Sequence, residues 1–181
     1  MLTGRLVRLR AHAPSDLDAA LRWINDTEVT RTLAARYPMS AQAESVWLER
    51  ASQGDTRHHE TDVYFAIDTL EGRYIGNCGI HRVEWENRCA AVGIMIGEKD
   101  CWDQGYGSDA MRTMLRFAFR EMNLHRIELT VFDFNERARA AYRKCGFVEE
   151  GRRRSAWFSD GEYHDIVVMG ILREKFAAAA V

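Results

Sequence analysis

Two hydrophobic periods alternate along this chain, and the order in which they alternate predicts its elements. Arg5 to Leu9 alternates apolar and polar positions as a strand does. Leu17, Ala20, Leu21 and Ile24 then share one helical face behind Ser15, a capping residue type, and Asn25-Asp26-Thr27 ends that helix. A second helix is expected from Ser40, carrying Val46, Trp47 and Leu48 and closed by Gly54. Val63 to Ile67, Tyr74 to Val83 and Ala90 to Ile96 read as three strands of an antiparallel meander. Met111, Met114, Leu115, Ala118 and Met122 return to helical spacing, with Arg112, Arg116, Arg120 and Glu121 on the other faces.

The strand period resumes from Arg126 to Phe132, where Ile127, Leu129 and Val131 alternate with Glu128 and Thr130. Ala138, Ala141, Tyr142 and Cys145 form the buried stripe of a short helix that Gly146 closes. Phe147 to Phe158 and Tyr163 to Leu172 flank Ser159-Asp160-Gly161-Glu162, a hairpin turn. The order is strand, two helices, three strands, helix, strand, helix, two strands. It defines a mixed α/β class with a mostly antiparallel sheet and flanking helices.

Composition narrows the setting. With 181 residues, 46% hydrophobic content and two prolines, residues 1–181 are expected to form a single domain without a linker. A net charge of -2 argues against a DNA footprint, and Arg152-Arg153-Arg154 reads as a solvated hairpin edge. Phosphate or acidic-substrate recognition is the other reading of that triplet. No apolar run approaches the roughly 20 residues that span a bilayer, so a cytoplasmic protein with no membrane partner is expected. Cys78, Cys89, Cys101 and Cys145 are widely spaced and form no Cys-x-x-Cys pair, so no metal site is expected.

Candidate chemistry concentrates between Glu98 and Phe147. Gly105 and Gly107, just ahead of a helix, let the backbone turn and let an anion approach free amides. Gly105-x-Gly107-x-x-Ala110 also fits a dinucleotide fingerprint, but four strand-like runs precede it and Glu128 falls in mid-strand, where that fingerprint needs a terminal acid. Tyr142 carries a phenol into the buried stripe of its helix, and such a hydroxyl needs a partner.

The glycine turn and Asn135-x-x-Ala138-x-x-x-Tyr142-x-Lys144-x-Gly146-Phe147 resemble the two acetyl-coenzyme A motifs of the GCN5-related N-acetyltransferases (GNAT family). The tail, with Asp160-Gly161-x-Tyr163-x-Asp165 and Met169-Gly170-Ile171-Leu172, is similar to the branch holding ribosomal-protein alanine and spermidine acetyltransferases. That resemblance implies acetyl-CoA as cofactor, lying where two strands splay apart. It implies cofactor contacts at Ile94, Met95 and Ile96, at Gln104, Gly105, Tyr106, Gly107 and Ser108, and at Asn135, Arg137, Tyr142 and Lys144. Tyr142 is the expected acid for the leaving sulfur.

Two positions depart from the family pattern. Trp102 stands where Gln or Arg is usual, which leaves the phosphates to backbone amides, and Ala91 stands where many relatives carry Glu. The proton acceptor for the amine must then lie elsewhere, and Glu84 is the expected residue, with Glu86 and His81 as alternatives. Glu28, Trp47, Trp85 and Trp157 are candidates for an acceptor pocket, whereas His58 and His59 read as loop residues. The implied activity is acetyl transfer to a primary amine by direct attack. Polyamine, another small amine and a protein N-terminus all stay open as partner, and a homodimer is the family-level expectation. A non-catalytic acyl-CoA sensor is the alternative, suggested by Ala91.

Overall fold

The computed structural model describes residues 2–52 and 62–178. Strands β1 (Leu2–Thr3) and β2 (Val7–Arg10) lead into helices α1 (Leu17–Ile24), α2 (Thr27–Thr30) and α3 (Ala41–Ser52). Strands β3 (Val63–Thr69), β4 (Tyr74–Glu84) and β5 (Cys89–Ile96) follow as the expected meander. Then come helix α4 (Tyr106–Arg120), strand β6 (Arg126–Phe132), helix α5 (Glu136–Lys144), strands β7 (Val148–Ser159) and β8 (Glu162–Leu172), and helix α6 (Arg173–Ala178). Gly54, His58 and His59 lie outside the described residues.

One eight-stranded sheet results, in the order β1-β2-β3-β4-β5-β6-β8-β7. Every pairing is antiparallel except β5 with β6, which α4 joins as a single crossover. The α4 face predicted from spacing is the buried one: Met111, Met114, Leu115 and Ala118 are fully enclosed against Val7, Ile75, Ile80 and Ile127.

Local chemistry sets several boundaries away from the sequence expectation. Ser15 does not cap α1. Pro14–Asp16 forms a 3-10 turn, and the Asp16 carboxylate accepts from the Ala13 amide at 2.9 Å while the Arg10 guanidinium forks onto it. Asp26 ends one helix and starts another, since its carboxylate accepts from Glu28 N at 2.9 Å and so caps α2. Trp23 is the main buried side chain of α1, and its ring fills the space beside Gly97, where an added Cβ would meet it at 2.1 Å. Val46 is exposed, whereas Ser40 does cap α3, with Ala43 N donating to its hydroxyl at 3.2 Å. His12 is 6% exposed against Trp47, and neither ring nitrogen has a hydrogen-bond partner.

Candidate active site

Strands β5 and β6 pair only from Cys89 to Ala91, opposite Arg126 to Glu128, and then part. From Val92 to Ile96, β5 keeps β4 on one side and has no strand on the other. Backbone polar groups on an open side need a partner, which makes this gap a binding edge. A cavity of about 660 Å³ opens there, lined by β5 from Val92 to Ile96, the α4 turn, and the inner faces of β6 and α5.

The α4 end of the cavity is built for an anion. Gly105 adopts φ +90° at the N-cap, a left-handed turn that glycine accepts without strain. A Cβ on Gly107 would meet only Ile96 Cγ1, at 3.6 Å, so the turn is open to close approach. Asp109, the acid of this first turn, faces away: its carboxylate accepts from the amides of Leu6 and Val7 at 2.7 and 3.1 Å. The helix's own first-turn acid is therefore turned away from the cavity, and Asp103, which lines the cavity just ahead of the turn, lies 4.0 Å from the Arg137 guanidinium. Trp102 donates its indole N–H to Ile96 O at 2.8 Å and carries Arg137 over its ring at 4.0 Å, which sets a guanidinium on the rim.

Deeper in, Asn135 caps α5 by accepting from Ala138 N at 3.1 Å and lines the cavity. Tyr142 reaches the same space from α5, packed edge-on against Phe147, and among the described residues its hydroxyl has no hydrogen-bond partner. Desolvation pushes that phenol up to about 12, so it is a proton donor at neutral pH. The open backbone edge, the uncrowded glycine turn and the unbonded phenol all border this one cavity.

Ile94, Met95, Ile96, Gly105, Gly107, Ser108, Asn135, Arg137, Tyr142 and Lys144 all line this cavity. Gln104 and Tyr106 do not: the Gln104 amide donates to Asp100 O, and Tyr106 packs on the core. Glu84 is also displaced. It pairs with Cys89 on β5, six residues from Met95, or about 20 Å along a strand. There it is exposed and accepts from Asn87 Nδ2 at 2.8 Å. Glu86 sits in the same exposed turn. Glu28 is exposed and holds Lys99 at 2.8 Å, and Trp85 lines neither cavity.

A second cavity of about 290 Å³ shares Gly93, Ile94, Met95 and Leu33 with the first. Ala20, Ile24 and Met39 give it apolar walls, Trp47 and Tyr64 aromatic ones, and His81 and Glu44 ionisable groups. Glu44 is 5% exposed, and among the described residues its carboxylate has no hydrogen bond or ion pair. Burial raises its pKa. The spacing of the α3 sequence gave no sign of this, because an acid in a first helical turn is ordinary. Val29, Thr32, Leu33 and Ala34, from α2 and the segment after it, also line the first cavity and carry no motif. Among the described residues no group of three His, Cys, Asp or Glu side chains could hold a metal, and no helix is long and apolar enough to cross a membrane.

A parted strand pair over a glycine turn, with a phenol at the gap, defines an acyl-coenzyme A-binding fold. The model of the GNAT acetyltransferase domain matches residues 6–148, and the chain belongs to that family. It is 29% identical over 119 residues to spermidine N(1)-acetyltransferase of Vibrio cholerae, covering 66% of this chain and 68% of that one. It is 30% identical over 106 residues to YdaF of Bacillus subtilis, whose name proposes a ribosomal N-acetyltransferase. That match covers 59% of this chain and 57% of YdaF. The crystal structure of Vibrio cholerae spermidine N-acetyltransferase with CoA and spermine superposes with a TM-score of 0.84 at 24% identity, over 94% of this chain and 98% of that one.

Proposed function

We propose that this protein transfers the acetyl group of acetyl-CoA to a primary amine by direct attack within a ternary complex. One observation carries this reading: two cavities of different character meet across the same residues of β5, Gly93 to Met95. The larger, with its helix N-terminus, Arg137 and Lys144, suits a diphosphate and its pantetheine arm. The smaller, aromatic and holding one carboxylate, suits the body of a cationic amine.

Acetyl-CoA supplies an acyl carbon activated by its thioester. The chain's part is to hold that carbon against β5, where unpaired amides are placed to donate to the carbonyl oxygen as it gains charge. Tyr142 protonates the departing sulfur, and its raised pKa keeps the proton on the phenol until then. No nucleophilic side chain is required. Similarity to spermidine acetyltransferases supports an amine acceptor, and a small amine fits the second cavity better than a folded protein surface.

The test is thiol release from acetyl-CoA against spermidine, aminoglycosides, amino sugars, free amino acids and peptides of differing N-termini. Acceptor-dependent release with one class supports the transferase. CoA binding with no release toward any of them overturns it in favour of an acyl-CoA sensor.

A further inference from the structure

The transferase reading leaves the proton acceptor for the amine without a residue, because Glu84 is far along its strand and Ala91 offers no polar atom. His81 stands directly across from Ala91 in the β4–β5 ladder, on the same face of the sheet. Its ring lies over a glycine pair, Gly79 and Gly93, that face each other in the same ladder. A Cβ on Gly79 would meet the imidazole Cε1 at 2.7 Å, and one on Gly93 would meet Nε2 at 3.4 Å. Glycine at position 79 leaves room for the ring, and Nε2 comes within van der Waals reach of Gly93, on the strand that both cavities share.

The other edge of the ring faces a carboxylate outside the cavity. Nδ1 faces the Asp62 carboxylate at 3.9 Å, and the same carboxylate accepts from Arg82 N at 2.9 Å and from the Tyr64 hydroxyl at 3.1 Å. Arg82 has φ +51°, and the β4–β5 register slips between His81 and Glu84. This is a bulge near the end of β4, a device that re-aims a side chain, and the Arg82 amide within it is held by Asp62. Tyr64 packs against the imidazole at 5.1 Å, and Glu44 of α3 shares its cavity.

Resting on the transferase reading, we propose that His81 Nε2, oriented by Asp62, takes the proton from the acceptor amine in the second cavity. An acceptor arriving as ammonium gives one proton to Nε2 and thence to solvent, and its freed lone pair forms the C–N bond to the acetyl carbon. The C–S bond breaks and the sulfur leaves with the Tyr142 proton. The second proton of the nitrogen, made acidic by the new bond, returns through His81 and solvent to the phenol. Burial lowers the imidazole pKa against the opposing pull of Asp62, so the ring is neutral and able to accept at pH 7. Asp62, Arg82, Tyr64 and Glu44 are the ionisable groups that face it.

The test uses the unmodified protein and the variants H81Q and H81N, with CoA affinity measured by calorimetry on all three. With the amine that gives the fastest thiol release, both variants are expected to keep CoA affinity within twofold and lose about 100-fold in turnover. The unmodified protein is expected to show an acidic limb in its pH–rate profile below pH 6.5, and both variants should lose it. Independently of turnover, the His81 imidazole resonance, followed by NMR without acetyl-CoA, is expected to titrate below 6.5 and to move when the amine is added. Turnover within twofold and an unchanged pH profile in either variant would overturn the assignment, as would an imidazole resonance indifferent to the amine. Silence of the unmodified protein toward every amine, with CoA bound, would instead overturn the transferase reading beneath it.

Discussion

Acidification should destabilise this protein through His12, a residue with no part in the proposed chemistry. The ring is enclosed, neither nitrogen is hydrogen-bonded, and burial pushes its pKa down from 6.5 to about 4 against the pull of Asp16 at 3.8 Å, with Arg10 adding to the depression. Between pH 6.5 and 4 the unfolded chain carries the proton and the folded chain does not, so lowering the pH favours unfolding. The contribution is fully present above 6.5 and is lost as the pH falls toward 4. At about 1.36 kcal/mol for each pH unit of difference, this amounts to about 3 kcal/mol at pH 4. That is a large part of the roughly 5–15 kcal/mol that holds a domain of this kind. Urea unfolding of the unmodified protein and of His12→Leu at pH 7.5 and pH 4 isolates it, because all other groups titrate in both. The unmodified protein should lose about 3 kcal/mol more than the variant over that interval. Equal losses in the two proteins would refute a neutral, desolvated His12.

Three further outcomes test the site. Tyr142→Phe should keep CoA affinity and slow turnover about 100-fold or more, checked by calorimetry beside steady-state thiol release. Gly107→Glu should abolish measurable CoA binding by calorimetry, since it sets bulk and negative charge at the phosphate turn, whereas Gly107→Ala, whose methyl meets only Ile96, should bind within a few-fold of the unmodified protein. Glu44→Gln should raise the KM for a cationic amine about tenfold, the weight of one charge-assisted contact, and leave CoA affinity unchanged.

The fold is legible in the sequence where an element carries one unmixed period, as β6 and α4 do. The α4 stripe of Met111, Met114, Leu115 and Ala118 is buried as its spacing requires. Elements set by single polar side chains were harder to read. Asp26 is a helix stop by residue type and also an N-cap, so α2 was invisible, and the Arg10–Asp16 fork displaced Ser15 from its capping role. Much of the lining of the larger cavity was legible, because glycine spacing and the Asn135-to-Phe147 helix mark those residues locally. The acceptor side was not, because it depends on register. Periodicity places Glu84 and His81 on one strand but cannot reveal the bulge at Arg82 or the strand partner opposite each, and these separate the two residues.

The sharing of Gly93, Ile94, Met95 and Leu33 between two cavities has a thermodynamic consequence. A ligand that settles against these residues from one side fixes the wall that the other ligand must meet. The two binding equilibria are therefore linked. By whatever factor occupancy of the larger cavity changes affinity in the smaller, occupancy of the smaller changes affinity in the larger by the same factor. On the proposed reading, cooperativity between cofactor and amine is thus a single quantity that can be read from either side.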